Sequence, residues 1–285
     1  MQRLAGCFLT GATERVIIFC WGAGANGKTT LVETWRGVLG TYAVHTPMST
    51  LMARRDAGIP NDVARFPGAR LVTAAETEPG QRFAAALVKY LTGGDRQIAR
   101  FLFKEYFEFD PTYKLVILGN EKPEIQDRSQ AMWDRLKLVP FTQRIPEAQR
   151  VERYHDWLLR DEGAGILAWM VAGCRAYAAE GLNPPAVVQA ATAEYRSEQD
   201  RLSDFLADCC AVGAGLSQGA ADLYAAYKHW CQGNNEAPLT HTAFGRDLGQ
   251  RGFATDPKAT TRRRRLGLQL KENWARWAER AWDLR

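Results

Sequence analysis

Apolar positions fall into short continuous runs and helix-spaced patterns that alternate along the first half of the chain. "RVIIFCW" at 15–21 is rich in β-branched and aromatic residues and stops at Gly22, so it predicts a buried strand. "TTLVETWRGVLG" at 29–40 spaces its apolar residues as a helix does and stops at Gly40. "ARLVTAAE" (69–76) and "YKLVILGN" (113–120) predict two more buried strands. Between them lie a helical pattern at 81–91, the turn "TGGD" at 92–95 and an aromatic-rich extended segment at 98–111. Strands alternating with helices predict a layered α/β domain.

After "LKLVPF" (136–141) the pattern changes. Residues 147–200 read as helical, broken by "NPP" at 183–185. From about 203 a smaller unit begins, with three short helical patterns in "LSDFLADCC", "GAADLYAAYKHWCQ" and "THTAFGRDLGQRGF". A basic stretch and "WARWAERAW" follow. Three helices with a basic strand-like arm fit a winged helix-turn-helix. The expected division is an α/β core over 1–146, a helical segment over 147–200 and a winged-helix unit over 201–285.

Composition adds two points. The chain has 285 residues, 46% hydrophobic and 24% charged, which suits two ordinary globular cores. Its net charge of +5 is modest, but the run Arg262, Arg263, Arg264, Arg265 concentrates cations near the C-terminal end. Such a cluster suggests an anionic partner, most often nucleic acid; a solvated charged face is the alternative. Six scattered cysteines without metal-binding spacing predict reduced thiols and no zinc site. The longest apolar run, "GILAWMVAGC", is too short to span a bilayer, so a soluble cytoplasmic protein is expected, without a membrane partner.

The chemistry starts at 22–30, "GAGANGKTT". This matches G-x-x-x-x-G-K-[ST] in full, between a predicted strand and a predicted helix. Gly22, Ala23, Gly24, Ala25, Asn26 and Gly27 form a loop whose backbone N–H groups can face phosphate oxygens. Lys28 reaches the β/γ-phosphates, Thr29 can ligate Mg²⁺, and Thr30 completes the helix start. Two carboxylates, Glu76 and Glu78, end the second strand, the edge where α/β sheets bind ligands. They would face one side only if the strand continues, and which one holds metal is open. Asn120, after the third strand, could hold a water near a γ-phosphate or simply form a turn. Arg135 is either a surface cation or an arginine finger supplied to a neighbouring subunit.

In order, "GAGANGKTT", "NDVARFPGARLVTAAETEPGQ", "KYLTGGDRQIARFLFKEYFEFDPTYKLVILGNEKP" and "WDRLKLVPF" resemble the superfamily 3 helicase module of phage, plasmid and poxvirus primase–helicases. The "TGGD" block is the most specific feature, since simple P-loop kinases lack it. The resemblance implies an AAA+ ATPase core over 1–146 that binds ATP and Mg²⁺. Thr29 and Glu76 would hold the metal, Glu76 with Glu78 would supply the strand-end acids, Asn120 would be the polar sensor and Arg135 the finger. It also implies that the segment around Arg100–Phe109 is a channel hairpin touching single-stranded DNA through Arg100 and Lys104. The alternation in "RFLFKEYFEF" around Lys104–Glu105 agrees with a hairpin, although buried aromatics under a solvated tip would read the same way.

Three departures stand out. Asp134 precedes Arg135 where the family often has arginine, and Glu121 follows Asn120 where a neutral or basic residue is common. The polymerase-like primase region and most of the helical collar that usually precede this core are expected to be absent. The resulting expectation is an ATP-dependent helicase ring, a homo-hexamer or similar, acting in phage- or plasmid-type replication in a bacterial or infected cell. It would engage single-stranded and duplex DNA and could work with a separate primase. A DNA-binding regulatory ATPase that assembles without unwinding is the alternative, and a small-molecule P-loop kinase ranks last.

Overall fold

The computed structural model describes residues 1–53, 61–78, 80–127, 129–234, 238–259 and 263–276. It divides into two compact units, Met1–Gln199 and Asp200–Arg285. In chain order the first unit contains α1 (Gln2–Cys7), β1 (Ile17–Trp21), α2 (Lys28–Leu39), β2 (Ala43–Pro47), β3 (Leu71–Ala75) and α3 (Ala85–Leu91). It continues with β4 (Gln97–Ala99), β5 (Phe107–Phe109), β6 (Lys114–Gly119), α4 (Gln130–Trp133), β7 (Leu136–Pro140), α5 (Tyr154–Glu180) and α6 (Ala186–Glu198). The second unit contains α7 (Arg201–Cys209), β8 (Cys210–Gly219), α8 (Ala220–Gly233), α9 (His241–Gln250) and β9 (Arg264–Leu270).

Five strands form one sheet in the order β2-β3-β6-β1-β7, and every pairing is parallel. A sheet covered on both faces needs apolar residues at consecutive positions, which is why these strands read as unbroken runs. Ile17, Phe19, Leu115 and Ile117 enter one core. Val16, Ile18, Cys20, Val116 and Leu118 enter the core on the other face.

The helical segment expected at 147–200 packs within the first unit: α5 lies on α1 and α2, and α6 runs beside β7. The α1–α5 crossing is close because it uses two glycines. A Cβ on Gly6 would sit 2.0 Å from the Cys174 nitrogen, and one on Gly173 would sit 2.0 Å from the Gln2 carbonyl oxygen. Neither α1 nor β2 stands out in the sequence pattern. β2 is an edge strand with only Thr46 buried, so it lacks the continuous apolar run.

The second unit has its own core, with Leu202, Phe205, Leu223, Tyr227, Trp230, Phe244, Leu248, Leu268 and Leu270. Asp200 caps α7 by accepting from the Ser203 backbone N–H. β8 and β9 pair antiparallel from Cys210↔Leu270 to Gly219↔Arg264, with an irregularity between Val212 and Ser217. The sequence reading has no strand at β8, because "CAVGAGLSQG" lacks both periodicity and bulk. An isolated antiparallel bridge joins Thr255 to Arg265. Most of "WARWAERAW" lies outside the described residues. Among the described residues, no helix is long and apolar enough to cross a membrane.

Phe205 is fully buried and meets the rings of Tyr227, Trp230 and Phe244 edge-on at 5.4, 6.1 and 6.2 Å. Phe205→Ala is expected to destabilise this unit by about 3–5 kcal/mol. Hydrogen exchange would then show lost protection in α7, α8 and α9 while β1 and β6 keep theirs.

Candidate nucleotide site and nucleic-acid surfaces

The loop 22–27 leaves β1 and enters α2 directly, as its sequence requires. Gly24 has φ +96° and Gly27, the residue before the helix, has φ +83°. Gly22 is held by proximity instead: a Cβ there would lie 2.3 Å from both Asn26 Nδ2 and the Phe141 carbonyl oxygen. The first turn of α2 carries no acidic residue, so its free N–H groups and positive end are left for an external anion.

Lys28 is 6% exposed, and its ammonium donates to the Gly22 carbonyl at 2.9 Å and to Asn120 Oδ1 at 2.7 Å. Asn26 Oδ1 is a third, longer partner at 3.4 Å. Burial holds this ammonium below the ordinary lysine pKa. The nearby buried Cys20 thiol is pushed up to about 12 by the same desolvation and stays neutral. The sequence-predicted Lys28 and Asn120 therefore meet directly, although 92 positions separate them.

They meet because β1 and β6 are neighbours in parallel register, with Trp21 opposite Gly119. The next strand, β3, aligns Ala75 with Leu118, which brings Glu76 to the same sheet edge. Glu76 is exposed and has φ +72°, a left-handed conformation that is unfavourable for a residue with a side chain. The chain leaves the strand there, so alternation does not govern where Glu78 faces. Glu78 is exposed, and its backbone N–H donates to Gln81 Oε1. Thr29 is exposed in the first turn of α2. A threonine hydroxyl and an exposed carboxylate are the hard oxygen donors that Mg²⁺ prefers, and the glycine cradle suits a phosphate chain.

Sequence reasoning missed the residues that tie these loops together. Thr77, nearly buried between the two glutamates, donates to the Glu121 carbonyl at 2.8 Å and accepts from the Glu121 N–H at 3.2 Å. Trp21 Nε1 donates to the Asn120 carbonyl, and the Lys122 ammonium sits 4.3 Å from the Trp21 ring centroid. After β7 the chain folds over the phosphate loop: Asn26 Nδ2 donates to the Phe141 carbonyl and the Ile145 N–H donates to the Ala25 carbonyl. The only hint in the sequence is Thr77 standing between two acids.

Arg135 lies elsewhere. It precedes β7, and its carbonyl accepts from Ile17 N–H at the start of β1, the sheet edge opposite the phosphate loop. A five-residue strand spans about 16 Å, so Arg135 is remote from the loop of its own chain. Its Nε donates to Thr92 Oγ1 at 3.1 Å, and its Nη1 bonds the Ala131 carbonyl. The "TGGD" turn thus braces this arginine. Asp134 accepts from Gln130 Nε2 within its own helical turn.

The aromatic segment forms a short antiparallel hairpin, Gln97–Ala99 against Phe107–Phe109, with Lys104 in the connecting loop 100–106. Arg100 lays its guanidinium 4.7 Å from the Tyr106 ring centroid. The aromatics divide: Phe107 and Phe109 pack on the core, while Phe101, Phe103 and Tyr106 are exposed.

In the second unit the arginine run separates by role, and Arg262 lies outside the described residues. Arg265 Nη1 and Nη2 donate to the Phe253 and Gly245 carbonyls, and burial followed by the Arg263 charge depresses its pKa. Arg264 binds Ser217 through both its carbonyl and its hydroxyl. Arg263 is exposed immediately before β9, and Arg246 is exposed on α9.

Comparison with known proteins bears on the family and the fold. The family described as "Poxvirus D5 protein-like" matches residues 197–261. The chain is 30% identical over 254 residues to "Putative helicase 022R" of Frog virus 3, covering 82% of this chain and 26% of that protein. It is 28% identical over 251 residues to "Putative helicase L207/L206" of Acanthamoeba polyphaga mimivirus, covering 81% and 26%. The apo structure of the NrS-1 C-terminal region superposes with a TM-score of 0.52 at 13% identity, covering 94% of this chain and 71% of that one, a likeness of fold. These matches bear out the resemblance to the superfamily 3 helicase module. The chain spans about a quarter of the length of the curated viral relatives it matches.

The split among the arginines of this module is measurable. Arg265→Ala removes two hydrogen bonds to backbone carbonyls and is expected to destabilise the second unit by about 1–3 kcal/mol. Arg263→Ala is expected to change stability by less than about 0.5 kcal/mol, because its side chain is exposed. Chemical denaturation of the two variants, followed by tryptophan fluorescence, checks both.

Proposed function

We propose that this chain is an ATP-hydrolysing motor module that moves along single-stranded DNA as a ring of copies, in replication of the phage or plasmid kind. The supporting observation is the opposed placement of Lys28 and Arg135. Lys28 stands with Asn120 at one edge of the parallel sheet, and Arg135 stands at the other. An arginine a strand's length from its own loop can complete a site only on another copy, and repeated head-to-tail pairing of that kind gives a ring when the rotation between copies closes.

Within the site, Lys28 would exchange Asn120 Oδ1 for an oxygen of the transferring phosphate. That exchange frees the Asn120 amide to orient the attacking water. Thr29 and Glu76 would hold Mg²⁺, which on binding neutralises charge on the β- and γ-phosphate oxygens. Glu78 is the other acid available to polarise water. The Thr77 link between the β3 and β6 loops gives a rigid path by which a change at Glu76 reaches Glu121 and its neighbours. In the second unit, α8 and α9 beside the antiparallel β8–β9 pair fit a winged helix on duplex DNA, with Arg246 on the helix presented to a groove and Arg263 on the wing.

Lys28→Ala is expected to abolish ATP hydrolysis measured as phosphate release, and turnover within a few-fold of the parent would defeat the site. Arg135→Ala should retain ATP binding while hydrolysis falls about a thousand-fold. Mixing the two variants should recover part of the activity, at junctions where an intact loop meets an intact finger. Co-assembled mixtures that recover none at any ratio would show that Arg135 does not act on a neighbour.

A further inference from the structure

We propose that Phe103 is a base-stacking contact, so that the hairpin grips single-stranded DNA by its bases as well as by its phosphates. This rests on reading the 97–109 hairpin as a DNA-contacting element and names the residue that makes the contact. Phe103 is 94% exposed, an extreme for a residue whose ring gains by leaving water. It also has φ +61°, which a bulky side chain rarely adopts. Two costs at one residue mark a position held for a ligand.

The loop is built to hold that ring outward. Lys104 N–H donates to the Phe101 carbonyl at 2.9 Å, closing a tight turn with Leu102 and Phe103 at its centre. Beneath the turn the Phe101 ring stacks on Phe107 at 6.1 Å, and Phe107 lies 6.2 Å from Phe109, which packs on the core. On the flank Arg100 covers Tyr106. At the base Arg96 is engaged by Asp110 and Glu108. An aromatic column thus runs from the core to Phe101, and the turn above it carries the exposed Phe103 ring with Lys104 next in the chain.

The chemistry of the tip selects the occupant. A protein partner needs about 800 Å² of surface on each side, and a seven-residue loop tip does not supply that. One protruding ring beside a cation suits one base and its phosphate. Stacked bases inside a duplex offer no free face, so the contact favours single strands. Stacking tolerates any base, which suits a motor that must pass every sequence.

The test compares a thymidine oligonucleotide with an abasic phosphodiester of the same length, by fluorescence anisotropy with the full chain and a non-hydrolysable ATP analogue. The parent should bind the thymidine strand about tenfold more tightly. Phe103→Ala should lose that preference without changing the salt dependence, and Phe103→Trp should keep it. Phe103→Asn, which tolerates the left-handed backbone, should behave as Phe103→Ala, separating the lost ring from relieved strain. Lys104→Ala should do the converse, keeping the preference while flattening the log–log salt slope by about 0.7. A parent that binds both strands equally overturns base stacking and leaves a phosphate grip. A preference that survives Phe103→Ala overturns the assignment to this residue and leaves DNA binding intact. No binding to either strand would overturn the DNA-contacting reading of the hairpin along with this inference. Phe103→Ala that changes assembly mass but not strand preference would overturn the proposal in favour of a contact between copies.

Discussion

Parallel pairing is the constraint on which the first unit depends. Because β3, β6, β1 and β7 run the same way, each strand delivers its following loop to one edge of the sheet. That single fact collects the phosphate loop, Glu76, Asn120 and the 141–145 segment, which are far apart in the chain. It equally sends Arg135, which precedes its strand, to the other edge. The Lys28–Asn120 bond, the Thr77–Glu121 pair and the Trp21–Asn120 bond then join the loops after neighbouring strands.

The two units spend their arginines differently. Arg135 is braced by Thr92 of the "TGGD" turn and by the Ala131 carbonyl in α4, and these two bonds fix its direction. Arg265 is bound inward to Phe253 and Gly245, while Arg263, one position before β9, stays exposed. A guanidinium offers five donors in a fixed fork, so one side chain can bridge two backbone carbonyls that a lysine could only share loosely. Charge in a sequence therefore does not say whether a cation serves the fold or an external anion. The family match over 197–261 falls mainly on this second unit, whereas the phosphate loop lies near the start of the chain.

Of the five non-glycine residues with positive φ among the described residues, three fall at positions tied to the proposed chemistry, and Arg153 and Asn183 do not. The three are Ala25 in the phosphate loop, Glu76 at the strand end and Phe103 at the hairpin tip. Each lies in a surface segment held by a rigid neighbour: α2, β3 and the aromatic column respectively. A well-packed scaffold can hold such residues in unfavourable conformations and present their side chains without further ordering on binding.

The central strands and the phosphate loop were legible in the chain because their causes are local. Burial on both faces demands continuous apolar runs such as "VIIFC" and "KLVILG", and the turn into α2 demands glycine at Gly24 and Gly27. Strands whose burial is partial, β2 and the glycine-rich β8, carried no such signal and emerged only from pairing with β3 and β9. Lys28, Asn120, Glu76 and Arg135 were visible as residue types at strand ends or starts. Which of them meet was settled by strand order, which no local pattern encodes. Exposure was likewise invisible. The alternation in "RFLFKEYFEF" is the same whether its rings are buried or free, and only the packing of Phe107 and Phe109 on the core, with Phe103 carried beyond it by the turn, separated the two. Periodicity reports the conformation of a segment, whereas what a side chain touches depends on residues distant in the chain, and that is decided when the whole domain closes.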